Sequence, residues 1–115
     1  MKMKFGIVLY EVELNGNLNG VYTNDAVGKQ TFRETARLKD KESEDENVKT
    51  YDVIYFDVSD SYTGKLTITD NNGLLNARWF DIKNNSTCQI VSNLVFEGQG
   101  FYMNERQIAI SYKGN

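Results

Sequence analysis

The sequence predicts an all-β protein, an eight-stranded antiparallel up-and-down meander that closes into a small barrel. Apolar and polar residues alternate with a period of two in most segments, which is typical of strands with one buried face. The chain has no proline, and Asn-Gly pairs supply the signals for tight turns. A short pattern that contains an aromatic residue also recurs along the chain. A two-layer β-sandwich is the alternative, because similar strands would build it.

Composition indicates one domain that spans residues 1–115, with enough apolar residues, 40%, for a single core. The net charge of −3 argues against nucleic acid as a partner. The chain has no histidine, which excludes histidine-based catalytic triads and histidine metal sites. It has a single cysteine, so an internal disulfide is excluded. The apolar run 5–10 is too short to cross a membrane, so we expect a cytoplasmic protein without membrane contact.

Several segments justify individual strands. Residues 65–70 and 107–112 alternate strictly, whereas 50–58 is apolar on both faces and leaves its inward face open. Residues 29–39 contain good helix formers, but their apolar residues follow a strand period. Residues 40–47 are predicted to be a charged, flexible loop. The predicted strands are 3–14, 20–24, 29–39, 48–58, 62–70, 74–82, 88–97 and 105–113.

Turns are predicted at Asn15-Gly16, Asn19-Gly20 and Asn72-Gly73, because these pairs tolerate positive φ. Further polar breaks are predicted at 83–87 and 103–106. Between them, the segments FRETARL, YTGKLTI and FEGQGFY begin with an aromatic residue and carry a distinctive residue two positions later. This spacing indicates a β-hairpin that is used three times between a first and a last strand.

The stretch from YTGKLTITD through ARW to FEGQGFYMNERQIAISY resembles the hairpins of small uncharacterised bacterial proteins. Those proteins carry a Tyr-x-Gly strand, a Trp strand, a Phe-x-Gly-x-Gly strand and a final apolar strand. The arrangement is also similar to the avidin and lipocalin (calycin) type of up-and-down barrel. The resemblance implies the barrel fold, but it implies no biotin binding, because the avidin-type contacts have no recognisable counterparts.

Glu34 occupies the position of the repeat at which the other two segments carry Gly64 and Gly98. If Phe32, Ala36 and Leu38 face the interior, Glu34 does as well, and an interior carboxylate needs a partner. Glu34 could therefore anchor a ligand or act as an acid. The alternative is a paired or solvated side chain near the barrel mouth.

The first functional hypothesis is a binding module for a small, partly apolar ligand, because small barrels can hold one in their mouth. The predicted ligand-binding residues are Phe32, Glu34, Tyr62, Leu66, Trp79, Phe96 and Tyr112. No catalytic residues, metal ligands or cofactor are predicted, so the sequence does not favour an enzyme.

The second hypothesis is a structural or protein–protein interaction domain with a filled barrel. Its contact patch would be formed by Tyr10, Tyr51, Val53 or Tyr55 on the outside. The partner would then be another protein or a second copy of the chain in a homo-oligomer.

Overall fold

A computed structural model describes residues 5–26, 28, 30–39, 47–57, 60–91 and 95–114. It contains eight β-strands in these residues and no helix. The strands are β1 (Phe5–Val12), β2 (Leu18–Asn24), β3 (Phe32–Leu38), β4 (Val48–Phe56), β5 (Ser61–Asn71), β6 (Leu74–Asn84), β7 (Phe96–Asn104) and β8 (Gln107–Gly114).

The strands form one closed antiparallel barrel in which each strand pairs with its neighbours in sequence. Closure comes from β1 and β8, which are paired from Phe5 with Lys113 to Glu11 with Gln107. The predicted fold is confirmed, and the sandwich alternative is wrong because no sheet edge remains between β1 and β8. The architecture is consistent with calycin-type barrels.

Alternation along each strand separates the interior from the outer surface. Leu66 and Ile68 of β5 are buried, and so are Tyr51 and Val53 of β4, which settles the inward face of β4. Trp79 lies inside with Leu75 and Ala77, as the phase of β6 predicts. The helical alternative for β3 is wrong, because its alternate residues are buried in the core.

One predicted turn lies inside a strand. Asn15-Gly16 and Asn72-Gly73 do form turns, with Gly16, Asn72 and Gly73 at positive φ. Asn19-Gly20 instead belongs to β2, where Gly20 is paired with Tyr10 of β1 and Glu34 of β3. The glycine is needed there for space, because an added Cβ would lie 2.7 Å from Cδ1 of Tyr10.

The predicted strand at 88–97 is also wrong, because the seventh strand is Phe96–Asn104. The predicted strand ends at residue 97, whereas β7 continues through Gly98 and Gly100. In the barrel, an added Cβ at Gly98 would lie 2.8 Å from Cγ2 of Ile110, and at Gly100 it would lie 2.7 Å from Cγ1 of the same residue. The glycines allow β7 and β8 to approach closely. The predicted charged loop at 40–47 lies outside the described residues except for Asn47.

Candidate functional site

The two ends of the barrel have different chemistry. At one end, β2, β4, β6 and β8 finish and β1, β3, β5 and β7 begin. Inward-facing aromatic residues surround this end, which we call the aromatic end: Tyr22, Phe32, Tyr55, Tyr62, Phe96 and Tyr112. Tyr22 is buried and the other five are half-buried. The opposite end is closed by buried aliphatic side chains, among them Leu18, Leu75 and Ile108.

The internal repeat explains the aromatic end. Phe32, Tyr62 and Phe96, the first residues of the three repeated segments, are cross-strand partners of Tyr22, Tyr55 and Trp79, respectively. Aromatic cross-strand pairs stabilise antiparallel sheets. Because each hairpin contributes its pair at the same level, the threefold sequence pattern becomes a ring of aromatic side chains.

The rings contact one another in two groups. Tyr55 stacks on Tyr62 with their centroids 5.0 Å apart, and Tyr22 meets Tyr55 edge to face at 6.2 Å. On the other side of the barrel, Tyr112 meets Phe96 edge to face at 6.0 Å. Trp79 joins this second group, with its ring centroid 5.5 Å from that of Tyr112.

Glu34 lies beneath these rings and is 6% exposed, the one buried charged side chain among the described residues. It accepts a hydrogen bond on Oε2 from the hydroxyl of Tyr10 and another, at 3.3 Å, from Nε1 of Trp79. Tyr10 reaches Glu34 because Gly20, which stands between them in the sheet, has no side chain. Three elements therefore meet at one carboxylate oxygen, namely β1, β3 and β6.

The other oxygen of Glu34, Oε1, has no hydrogen-bond partner among the described residues. In the same part of the chain, no fully enclosed side-chain nitrogen or oxygen lacks a partner. Oε1 is therefore not fully enclosed.

Burial raises the pKa of Glu34 from an ordinary value of 4.5 to about 7, although the hydrogen bonds from Tyr10 and Trp79 act in the opposite direction. The pKa of Tyr10 is raised as well, by its own burial and then by the negative charge of Glu34. Near neutral pH the carboxyl group is therefore present in both forms. Protonated Oε1 can donate a hydrogen bond, and ionised Oε1 offers a negative charge.

The structure places six of the seven predicted ligand-binding residues at or directly beneath the aromatic end: Phe32, Glu34, Tyr62, Trp79, Phe96 and Tyr112. Leu66 is the exception, because it lies deeper in the core with no exposed surface. The sequence reasoning missed three participants, Tyr10, Tyr22 and Tyr55. Two of them, Tyr10 and Tyr55, were expected on the outer surface.

The expected outer contact patch is wrong in the same way. Tyr10, Tyr51 and Val53 are 3% exposed or less, because β1 and β4 turn these residues inward. Both strands are apolar on both faces, so alternation alone left the choice of face open. The signal that could have located Tyr10 is Gly20, a small residue where a neighbouring aromatic side chain needs space.

A cavity lies on the outside of β5–β8. It is an open groove of about 870 Å³ with a mixed lining that includes Thr67, Arg78, Glu97 and Gln99. No buried polar side chain points into it, in contrast to the aromatic end with Glu34. No group of three or more acidic or cysteine side chains that could hold a metal ion occurs among the described residues.

Comparison with known protein families, with curated protein sequences and with solved structures finds no match to this chain. In the described part of the chain, no helix is long and apolar enough to cross a membrane.

Proposed function

We propose that this barrel is a binding module for a small, partly apolar ligand that enters at the aromatic end and contacts Oε1 of Glu34. The observation that carries the proposal is a buried carboxylate beneath half-buried aromatic rings. One of its oxygens is held by Tyr10 and Trp79, and the other has no partner among the described residues. Ligand sites of small proteins combine such apolar walls with a few placed polar groups.

The architecture supports the same proposal. Small eight-stranded barrels have an interior that can hold one small ligand, as in the avidin and lipocalin type that this chain resembles. We propose that the chain is a distant member of that class. The closed meander and the polar group beneath the aromatic end support this proposal, although no sequence match accompanies it.

Trp79 provides a direct test, because it is the single tryptophan of the chain and its indole N–H donates to Glu34. A fragment library should be screened by NMR on the ¹⁵N-labelled protein. We expect ligands to shift the Trp79 indole resonance together with amides of Phe32 and Tyr62.

A matched pair of variants locates the site. Tyr62→Ala should weaken these ligands, whereas Phe101→Ala, which removes an outward-facing ring that is 56% exposed, should leave their binding unchanged. If no fragment shifts Trp79, or if all shifts fall on the outer face of the barrel, the proposed binding function is wrong.

A second candidate function, self-association, is favoured by an outer apolar row. Val21, Leu9, Ala109 and Phe101 are consecutive cross-strand partners on β2, β1, β8 and β7, and all face outward. With the neighbouring exposed side chains of Phe5 and Ile7, the row leaves roughly 500 Å² of apolar surface accessible, at the upper end for a monomer.

A standard interface buries about 800 Å² per partner, so the row with a polar rim would suffice for a twofold dimer. A second copy is the partner proposed here, because a face that crosses four strands can pack against its own copy. Sedimentation velocity should show a dimer that Leu9→Lys dissociates. A wild-type monomer at high concentration would exclude this candidate.

A further inference from the structure

Among the described residues, the negative charge of Glu34 has no cationic partner. Tyr10 and Trp79 are neutral donors, and among the described residues no Lys or Arg bonds to this carboxylate. At this end, β6 and β8 carry the basic residues Lys83 and Lys113. Both side chains are exposed and face outward. An ionised carboxylate that is buried without a counter-charge is costly. A ligand that carries a positive charge would remove that cost.

The walls above Glu34 suit a cation as well. The π faces of aromatic rings attract ammonium groups, and this attraction is strongest where water is excluded. The hydroxyl of Tyr22 donates to the carbonyl of Phe56, and that of Tyr112 donates to the carbonyl of Thr23 at 3.3 Å. Because backbone carbonyls already bind these hydroxyls, the two tyrosines contribute their rings to the interior.

Two acidic residues lie in the connection between β4 and β5 at the same end. Asp57 follows β4, and Asp60 precedes β5. Burial is the largest cause of the raised pKa values of Tyr22, Tyr55 and Tyr62, and the charge of Asp57 raises them further. These carboxylates lie close enough to the ring of tyrosines to influence its electrostatics. Beside these three tyrosines, the two carboxylates favour a cation over an anion.

We propose that the ligand of the aromatic end carries an organic ammonium group on a small apolar body, with Oε1 of Glu34 as its counter-ion. This inference rests on the proposed binding function and specifies its ligand class. The ammonium group would lie between the two groups of rings and donate a hydrogen bond to Oε1. The apolar body would replace water against Phe32 and Phe96. An anionic ligand would meet Glu34 without any compensating positive charge.

Three probes of nearly equal size separate charge from shape: benzylammonium, benzyl alcohol and benzoate. Their affinities should be measured at pH 8, where Glu34 is mostly ionised, from the Trp79 indole resonance. We expect benzylammonium to bind at least about tenfold more tightly than benzyl alcohol, and benzoate not to bind.

Variants test whether the negative charge of Glu34 is required for the binding of benzylammonium. Glu34→Gln should weaken benzylammonium by about tenfold or more and leave benzyl alcohol nearly unchanged, because the amide keeps the size but not the charge. Glu97→Gln, which removes an exposed carboxylate on the outer face, should change neither affinity. Tyr55→Leu should weaken benzylammonium more than benzyl alcohol. A native-like circular dichroism spectrum of each variant verifies that the barrel has folded.

Equal affinities for benzylammonium and benzyl alcohol, or an unchanged benzylammonium affinity in Glu34→Gln, would overturn the inference and leave the binding function in place. Failure of all three probes to shift Trp79 would also overturn it. The fragment screen described above then decides separately whether the barrel binds any small molecule.

Discussion

Replacing Glu34 by glutamine should make the protein more stable at neutral pH, and the gain should depend on pH. Folding raises the pKa of Glu34 from 4.5 to about 7, so the folded state binds the proton more tightly than the unfolded state does. The protonated carboxyl group therefore contributes stability to the folded state that is fully present below about pH 4.5 and is lost as the pH rises to about 7. At 1.36 kcal/mol per pKa unit, the loss amounts to roughly 3 kcal/mol.

Glutamine has no such titration, and its carbonyl oxygen can accept both hydrogen bonds that Oε2 receives from Tyr10 and Trp79. The free energy of unfolding of Glu34→Gln minus that of the wild type should therefore rise by roughly 3 kcal/mol between pH 4 and pH 8. Urea denaturation at several pH values, followed by Trp79 fluorescence, measures this difference. All other titrating groups are common to both proteins, so their contributions cancel.

The control is Glu97→Gln, a substitution on the outer surface, for which we expect a difference within about 0.5 kcal/mol of zero at every pH. A Glu34→Gln difference that stays flat across the same range would refute the reasoning. It would mean that Glu34 is solvated, or that it has a cationic partner in solution.

Four further substitutions test the packing of the barrel and one surface ion pair. Trp79→Ala should lower the free energy of unfolding by about 3–5 kcal/mol, measured by urea denaturation with circular dichroism, because a buried ring is replaced by a cavity. Gly20→Ala should cost about 1–3 kcal/mol, because its Cβ would lie 2.7 Å from the ring of Tyr10. Gly64→Ala should lower the free energy of unfolding less, because an added Cβ would lie 3.2 Å from its nearest neighbour, the carbonyl oxygen of Phe80. A larger loss of stability for Gly64→Ala than for Gly20→Ala would contradict this ranking. Lys65→Ala removes the exposed ion pair with Asp52 on the outer face. Thermal denaturation should show that the free energy of unfolding falls by less than about 1 kcal/mol.

The sequence predicted the fold because alternation and turn signals agree in most of the chain. β5 and β8 alternate strictly, and Asn72-Gly73 forms the tight turn that its residue types favour. The inward direction of Glu34 also follows from the phase of β3. These features are local, so the residues of one segment determine them.

The errors arose where tertiary contacts override local preference. Gly20 belongs to a strand because the ring of Tyr10 lies over it, a contact between two strands that no local pattern reveals. Gly98 is a strand residue because β8 packs closely against it. The partners of Glu34 could not be predicted either, since Trp79 is 45 residues away in sequence and reaches it across the interior.

The pairing of the first strand with the last one constrains how the protein can be made and rearranged. Phe5 is paired with Lys113, so the barrel cannot close during synthesis until β8 has left the ribosome, and folding should be slow for a protein of this size. The same pairing brings Phe5, at the start of β1, close to Lys113, near the end of β8. A short linker could therefore join them, and new ends could be opened in the turn between Asn71 and Leu74, which would leave the strand order around the barrel intact. Such a circular permutant would also move the closing step, because the last strand to be made would then be β5.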